Sequence, residues 1–258
     1  MITLAVINDI KDIEPILKRA IKCEGGILEV LYIHEESLFE LPDLFKPKYL
    51  EDEQINKEEV KNKIKKTLKS LKYTKDVAIF IYVNDTYSHI ERYLVDKEYL
   101  IITAYNETTK ELYKDFKPIC YLKNEYKEYR DILLAVALDG EDLDRINLIK
   151  KYFPNSNLTL LYDYIHMNII PTIPEFYGDF TSYTLINIEI DEEIRKVKKE
   201  QFEELLNSTN LKGEFLEDIS TYESLFIYLN NTKSDLIVLT SPYSEVVKDI
   251  KIDTFIIK

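Results

Sequence analysis

Three histidines, two cysteines and five glycines are the residues from which this 258-residue chain would have to build metal, thiol or phosphate chemistry. His34, His89 and His166 each stand without a second histidine or cysteine at ligand spacing, so no zinc site is indicated. His34 precedes Glu35 and Glu36 and reads as part of a solvated loop, and His89 falls on the exposed phase of its helix. Cys23 and Cys120 show no paired spacing, which fits core thiols in a reducing cytosol. No Gly-x-Ser-x-Gly elbow, Walker loop, Rossmann Gly-x-Gly-x-x-Gly or Cys-x-x-Cys is present. The mechanisms that those turns and thiols supply are therefore absent, no catalytic residue is assigned, and no enzyme is expected. The glycines, at 25, 26, 140, 178 and 213, never cluster into a loop that could bring backbone N–H groups onto a phosphate.

The surrounding composition narrows the class further. With 45% apolar, 31% charged and 12% aromatic residues the chain is globular rather than disordered or fibrous. Its 34 basic and 47 acidic side chains give a net charge of -13, a sign that repels nucleic acid and acidic membrane surfaces. The charge is uneven: residues 1–125 carry 20 basic against 23 acidic side chains and the remainder 14 against 24, so -10 of the charge lies in the second part. The N-terminal run Met1–Asp9 lacks a basic n-region and reads as a buried strand, neither a signal peptide nor a membrane span. A cytoplasmic location is expected. The 20 tyrosines recur on apolar phases, as at Tyr32, Tyr93, Tyr162 and Tyr228, where rings pack in the core and hydroxyls stay wet.

The elements that would position any site are written twice. Ile2–Val6 matches Ile132–Val136, and Leu28–Tyr32 matches Leu158–Tyr162, both at an offset of 130. Thr86–Leu94 aligns with Thr221–Leu229 at an offset of 135, and Leu100–Ile102 with Leu236–Val238 at 136. Two copies of one domain are expected, over 1–124 and 130–258. In each, apolar runs alternate with helical patterns, the signature of βαβ units and a parallel sheet. Strands are expected near 2–8, 27–33, 77–83, 99–104 and 118–122, then near 132–138, 158–164, 213–219, 235–240 and 252–257. The stripes Ile13/Ile16/Leu17/Ala20, Val60/Ile64/Leu68 and Ile90/Tyr93/Leu94 predict helices in copy one, and copy two should have them over 141–153, 191–207 and 221–232. The Lys57–Lys72 helix presents a solvated basic face supported by pairs such as Glu59/Lys63. Long connections at 34–54 and 165–190 exceed the usual ~4–6 residues and read as lids or interaction surfaces, with Ile186/Ile188/Ile190 suggesting an added edge strand.

An apolar strand ending in Ala-Val-x-x-Asp, an amphipathic helix, a Leu-rich second strand and a long variable connection open each copy. With Ser234–Leu239 and the final Thr254–Lys258, this pattern resembles the universal stress protein family over nearly the whole chain. The resemblance implies an α/β fold: two tandem Rossmann-like, doubly wound domains with five-stranded parallel sheets of order 3-2-1-4-5, arranged as an internal pseudo-dimer. Nucleotide-binding members carry a Gly-x2-Gly-x9-Gly-Ser/Thr loop after strand four. The corresponding segments here, Thr103–Glu111 and Thr240–Lys248, contain no glycine, and Pro242 removes an amide donor. No cofactor is therefore assigned: ATP is not expected on a glycine loop of the family's type, which both copies lack, and stays open only by another mode. Of the family's nucleotide site there remain the strand-one aspartates Asp9 and Asp139, candidates for nucleotide or ligand contact, although an aspartate there also caps the following helix.

The resemblance implies a stress-response protein, read as a binding or adaptor module that meets a protein partner or itself through sheet edges and the two long loops. The alternative is a small-molecule or nucleotide sensor with its cleft at the C-terminal strand ends and Asp9 or Asp139 at the floor. A tandem response-regulator receiver would use Asp9, Asp85, Thr103 and Lys123 as its acidic and phosphoryl-contacting set. The 18 residues from Asp85 to Thr103, and Ser220 where copy two should carry the acceptor, do not fit that scheme.

Overall fold

The structure, a computed structural model, describes residues 1–23, 25–34, 57–83, 86–166, 180–218 and 222–258, with only the backbone of 83 and 180–189. The chain divides into two compact units, 1–127 and 128–257. The first runs β1 (Ile2–Ile7), α1 (Ile13–Lys22), β2 (Ile27–His34), α2 (Lys57–Ser70), β3 (Ala78–Val83), α3 (Thr86–Leu94), β4 (Tyr99–Ala104) and β5 (Ile119–Leu122). The second runs β6 (Asp131–Ala135), α4 (Asp142–Tyr152), β7 (Asn157–Ile165), α5 (Phe180–Thr209), β8 (Lys212–Asp218), α6 (Glu223–Asn231), β9 (Leu236–Leu239) and β10 (Asp253–Ile256). Strand order is β3-β2-β1-β4-β5 in one unit and β8-β7-β6-β9-β10 in the other, with parallel pairing throughout both. This is the 3-2-1-4-5 order, present twice.

Continuous burial of Thr3–Ile7 marks β1 as a strand covered on both faces, the condition a parallel sheet requires. Its covers are the helix stripes: Ile13, Ile16, Leu17 and Ala20 on α1, Val60, Ile64 and Leu68 on α2, and Ile90 and Leu94 on α3 are all buried. Each buried Val, Ile or Leu among them contributes roughly 1.5–3 kcal/mol. In the second unit Ile146, Ile149, Leu225 and Leu229 have the same role, and Phe202 of α5 packs on Tyr162 and Phe215. Both cysteines are buried and outside any disulfide, and burial pushes the Cys23 thiol up to about 11, so it is an inert core group.

The structure departs from the sequence reading in four places. Helix α5 starts at Phe180 instead of 191 and takes in Ile186, Ile188 and Ile190, so no edge strand forms there. Three alternating isoleucines carry a short period-two signal, whereas Ile190, Ile194 and Val197 continue it at spacings of four and three into a long helix. Strand β6 ends at Ala135, three residues early, because Asp142 takes the Ala137 and Leu138 amides that a longer ladder would use. His89 is half-buried instead of exposed, its ring stacked on Tyr82 with centroids 4.3 Å apart. The ladders also set Thr3 opposite Leu28 but Ile132 opposite Leu158, one residue out from the repeat read along the sequence. Most of the connections 34–54 and 165–190, with Asp85 and Ser220, lies outside the described residues.

Candidate functional site

In a doubly wound sheet the chain leaves its first and fourth strands toward opposite faces, and the crevice at their C-terminal ends is where ligands bind. The first unit has such a cleft, of about 600 Å³, lined by Asn8, Asp9, Lys11, Tyr105, Asn106 and Lys123 among others. Its polar groups are occupied by one another. Asn8 and Asn106 exchange amide hydrogen bonds of 3.1 and 3.0 Å across the crevice. Asp9 accepts from the Lys11 backbone amide at 2.9 Å and pairs with its ammonium at 2.8 Å. Those bonds to Lys11 hold the Asp9 carboxyl below the usual carboxylate range and make it the cap of the short 3-10 turn Ile10–Asp12.

The segment after β4 is folded into tight turns that consume its own donors. The Thr108 and Thr109 amides reach the Asn106 side chain at 3.1 and 3.2 Å, and the Lys110 amide reaches the Asn106 carbonyl at 2.9 Å. Beneath them the buried Tyr121 hydroxyl accepts from the Tyr113 amide at 3.0 Å and donates to the Thr109 carbonyl at 2.8 Å. Tyr121→Phe is expected to destabilise the first unit by about 1–3 kcal/mol, because it removes a buried partner from each group. A denaturant midpoint equal to that of the unsubstituted chain would contradict this. In the second unit the corresponding segment, Ser241–Asp249, is a 3-10 helix with Pro242 in its first turn.

Asp139 is likewise engaged. It accepts the Glu141 amide at 3.1 Å and two bonds, of 2.6 and 2.9 Å, from the Arg145 guanidinium, which holds its carboxyl below the ordinary value. Arg145, buried on α4, also reaches Asp142 and Glu141, each at 3.2 Å. Asp142 in turn accepts the Ala137 and Leu138 amides, so a single guanidinium fixes the β6–α4 turn. Glu141, Asp142 and Arg145 stand at helical spacings of four and three, a signal legible in the sequence that the strand-one pattern overshadowed.

The carboxyl that remains uncommitted is one that sequence reasoning missed. Asp163, near the C-terminal end of β7, is 4% exposed, and neither of its oxygens receives a hydrogen bond from a neutral or cationic donor. Burial, the charge of Asp218 and a side-chain hydrogen bond with that second carboxyl push its pKa up to about 7. Asp218, the last residue of β8, is also buried but is satisfied by the Ser224 and Leu225 amides at the start of α6, at 2.6 and 3.2 Å. Asp163 lines a cleft of about 320 Å³ with Ala137, Lys198, Tyr222, Pro242 and Tyr243. The donors there are directed elsewhere: Tyr222 to the Pro242 carbonyl at 2.9 Å, Tyr243 to the Asp163 carbonyl at 3.4 Å, and Lys198 to the Leu138 carbonyl at 3.2 Å. At the rim, His166 and Tyr164 converge on Asp191, at 2.6 and 2.7 Å. Among the described residues no group of three or more His, Cys, Asp or Glu is placed to hold a metal ion, and no helix is long and apolar enough to cross a membrane.

No family model matches the sequence. No curated protein sequence matches it either. Solved structures do match. A universal stress protein from Pseudomonas aeruginosa UCBPP-PA14 superposes with a TM-score of 0.65 at 12% identity, over 100% of this chain and 92% of that one. One from Archaeoglobus fulgidus DSM 4304 gives 0.56 at 12% identity, over 100% and 96%. The cytoplasmic domain of a prokaryotic cation chloride cotransporter gives 0.50 at 10% identity, over 98% and 93%. With the strand order present in both units, these matches show that the chain has the universal stress protein fold, in tandem.

Proposed function

We propose that the chain is a cytoplasmic stress-response binding module without enzymatic turnover, and that its second unit takes a small ligand at the C-terminal strand ends. The observation that carries this reading is Asp163, a buried carboxyl on the wall of a tyrosine-lined cleft, with a second carboxyl beside it and no amide or cation on its oxygens. Burying such a group without a donor costs stability, and groups of this kind concentrate at functional sites. The reading places no triphosphate on a backbone loop. Support for that comes from the turns after β4, whose amides are used internally, and from the glycine-free 3-10 helix after β9.

Two assays test the proposal. Equilibrium dialysis of the full chain against ATP is expected to show no saturable binding, and a phosphate-release assay no rate above background. Saturable ATP binding that Asp139→Ala abolished would overturn the reading and return the site to the strand-one aspartate.

A second reading, association with a protein partner, is favoured by a separate observation. Ile190, Ile194 and Val197 lie exposed along one stripe of α5. Apolar side chains repeated at helical spacing in solvent are a common basis for helix-mediated contact. In this reading self-association or a partner would use that stripe together with sheet edges and the connections 34–54 and 165–190. Sedimentation of the full chain and of Ile194→Lys is expected to show association that the charge abolishes, and a monomer in both cases would contradict it.

A further inference from the structure

We propose that the Asp163 cleft is a binding site for a flat organic cation, a guanidinium or amidinium, held by the two Asp163 oxygens and stacked among Tyr222, Tyr243 and Pro242. The inference rests on the preceding reading of this cleft as a ligand site and goes on to name the ligand's chemistry.

Two carboxyls, Asp163 and Asp218, are buried side by side on neighbouring strands. Asp218 is compensated by two amides at the N-terminal end of α6, where the helix dipole favours negative charge. Asp163 has neither amide nor cation on its oxygens. The groups that face it are the Tyr162, Tyr222 and Tyr243 phenols and the Asp218 carboxyl, and Tyr222 and Tyr243 give their hydrogens to backbone carbonyls. The Lys198 ammonium on the same cleft reaches the Leu138 carbonyl and makes no bond to Asp163, so an ionised Asp163 has no cation of the chain on its oxygens.

Neither oxygen receives an N–H or O–H bond from a donor group, and the neighbour within reach is a second carboxyl, so the complementary group is one that offers two parallel N–H bonds. Guanidinium and amidinium planes do this, and an ammonium does not. Aromatic rings on the wall add attraction for the same plane, since a cation gains from contact with a π-face. A cleft of about 320 Å³ lies at the lower end of the range for small-molecule sites. The acidic balance of the second part of the chain, -10 from residue 126 onward, also favours a cation over an anion.

The Asp163 oxygens are closed to solvent, so the ligand must displace a wall residue. Tyr222 is the one with stored strain. It sits at φ 63 and ψ 20, a left-handed conformation uncommon for a residue other than glycine, with its ring edge-on to Tyr243 at 5.7 Å. Rotation of that ring opens the carboxyl.

The test is calorimetric titration of the full chain with benzamidinium, with neutral benzamide as the matched probe. At pH 8 saturable benzamidinium binding is expected, at least ~10-fold tighter than benzamide, with Asp163→Asn losing that preference. Affinity should weaken as pH falls below about 7, where Asp163 keeps its proton. Benzamide bound as tightly as benzamidinium, or an unaffected Asp163→Asn, would overturn the cation assignment and leave the cleft as a binding site. Binding of neither probe would overturn both.

Discussion

Asp163→Asn is expected to stabilise the second unit at pH 8, by on the order of 3–4 kcal/mol, and to change it little at pH 4. The folded-state carboxyl titrates near 7, against an ordinary aspartate value of 3.8. Between those values the unfolded chain has released the proton that the folded chain still holds. The stability that Asp163 contributes is thus fully present below about 3.8 and lost as pH rises through about 7. Asparagine carries no charge to desolvate and faces Asp218 without repulsion, so the alkaline loss disappears in the variant. Denaturant midpoints at several pH values check this, and curves that stayed parallel from pH 4 to pH 8 would refute it. A side chain whose removal stabilises the fold is characteristic of a binding site, where a group is kept unsatisfied for a ligand.

The opposite sign is expected at the β6–α4 turn. Arg145→Ala should destabilise the second unit by about 3 kcal/mol, because it removes the guanidinium from Asp142, a carboxylate only 4% exposed, and from Asp139. Arg145→Lys should recover only part of the loss, since one ammonium cannot bond both Asp139 oxygens and Asp142 together. The effect also has a pH signature. Arg145 holds the Asp139 carboxyl below its usual range, so that contribution is present above about 3.8 and lost as pH falls through the lowered value. The acid limb of the stability profile should therefore flatten in Arg145→Ala. An unchanged midpoint would mean that the β6–α4 turn is fixed by the backbone bonds of Asp142 alone.

The fold was legible in the sequence because it is specified by periodicity and written twice. Ile13, Ile16, Leu17 and Ala20 repeat at helical spacing and are buried in the structure, and the runs around Ile2–Val6 and Ile132–Val136 became neighbouring-strand ladders of matching order. Helix α5 shows where the method fails: Ile186, Ile188 and Ile190 fit two periods, and only the continuation through Ile194 decides between them. The candidate site was legible only as a location. Asp9 and Asp139 stand at the right strand ends, but their partners, Lys11 and Arg145, determine what the carboxylates are free to do.

Asp163 lies inside an apolar run, Leu160-Leu161-Tyr162-Asp163-Tyr164, where a charge reads as an interruption of a strand. Its significance comes from what packs against it. Asp218 stands on the adjoining strand, and three donors point away; both follow from tertiary placement of residues 20 to 80 positions apart in the sequence. A single buried acid in a β7-like run is a signal worth following in a sequence, since burial of an unpaired carboxyl requires a reason.

Asp163 has no cation or amide on its carboxyl whereas Asp9 and Asp139 do, and carboxyl-carbon NMR titration of the full chain measures that contrast directly. Asp163 is expected to titrate near 7, and Asp9 and Asp139 below 3.8. An Asp163 that titrated with the ordinary aspartates, near 4, would show that its carboxyl has a partner or is solvated, and the ligand site proposed around it would fall.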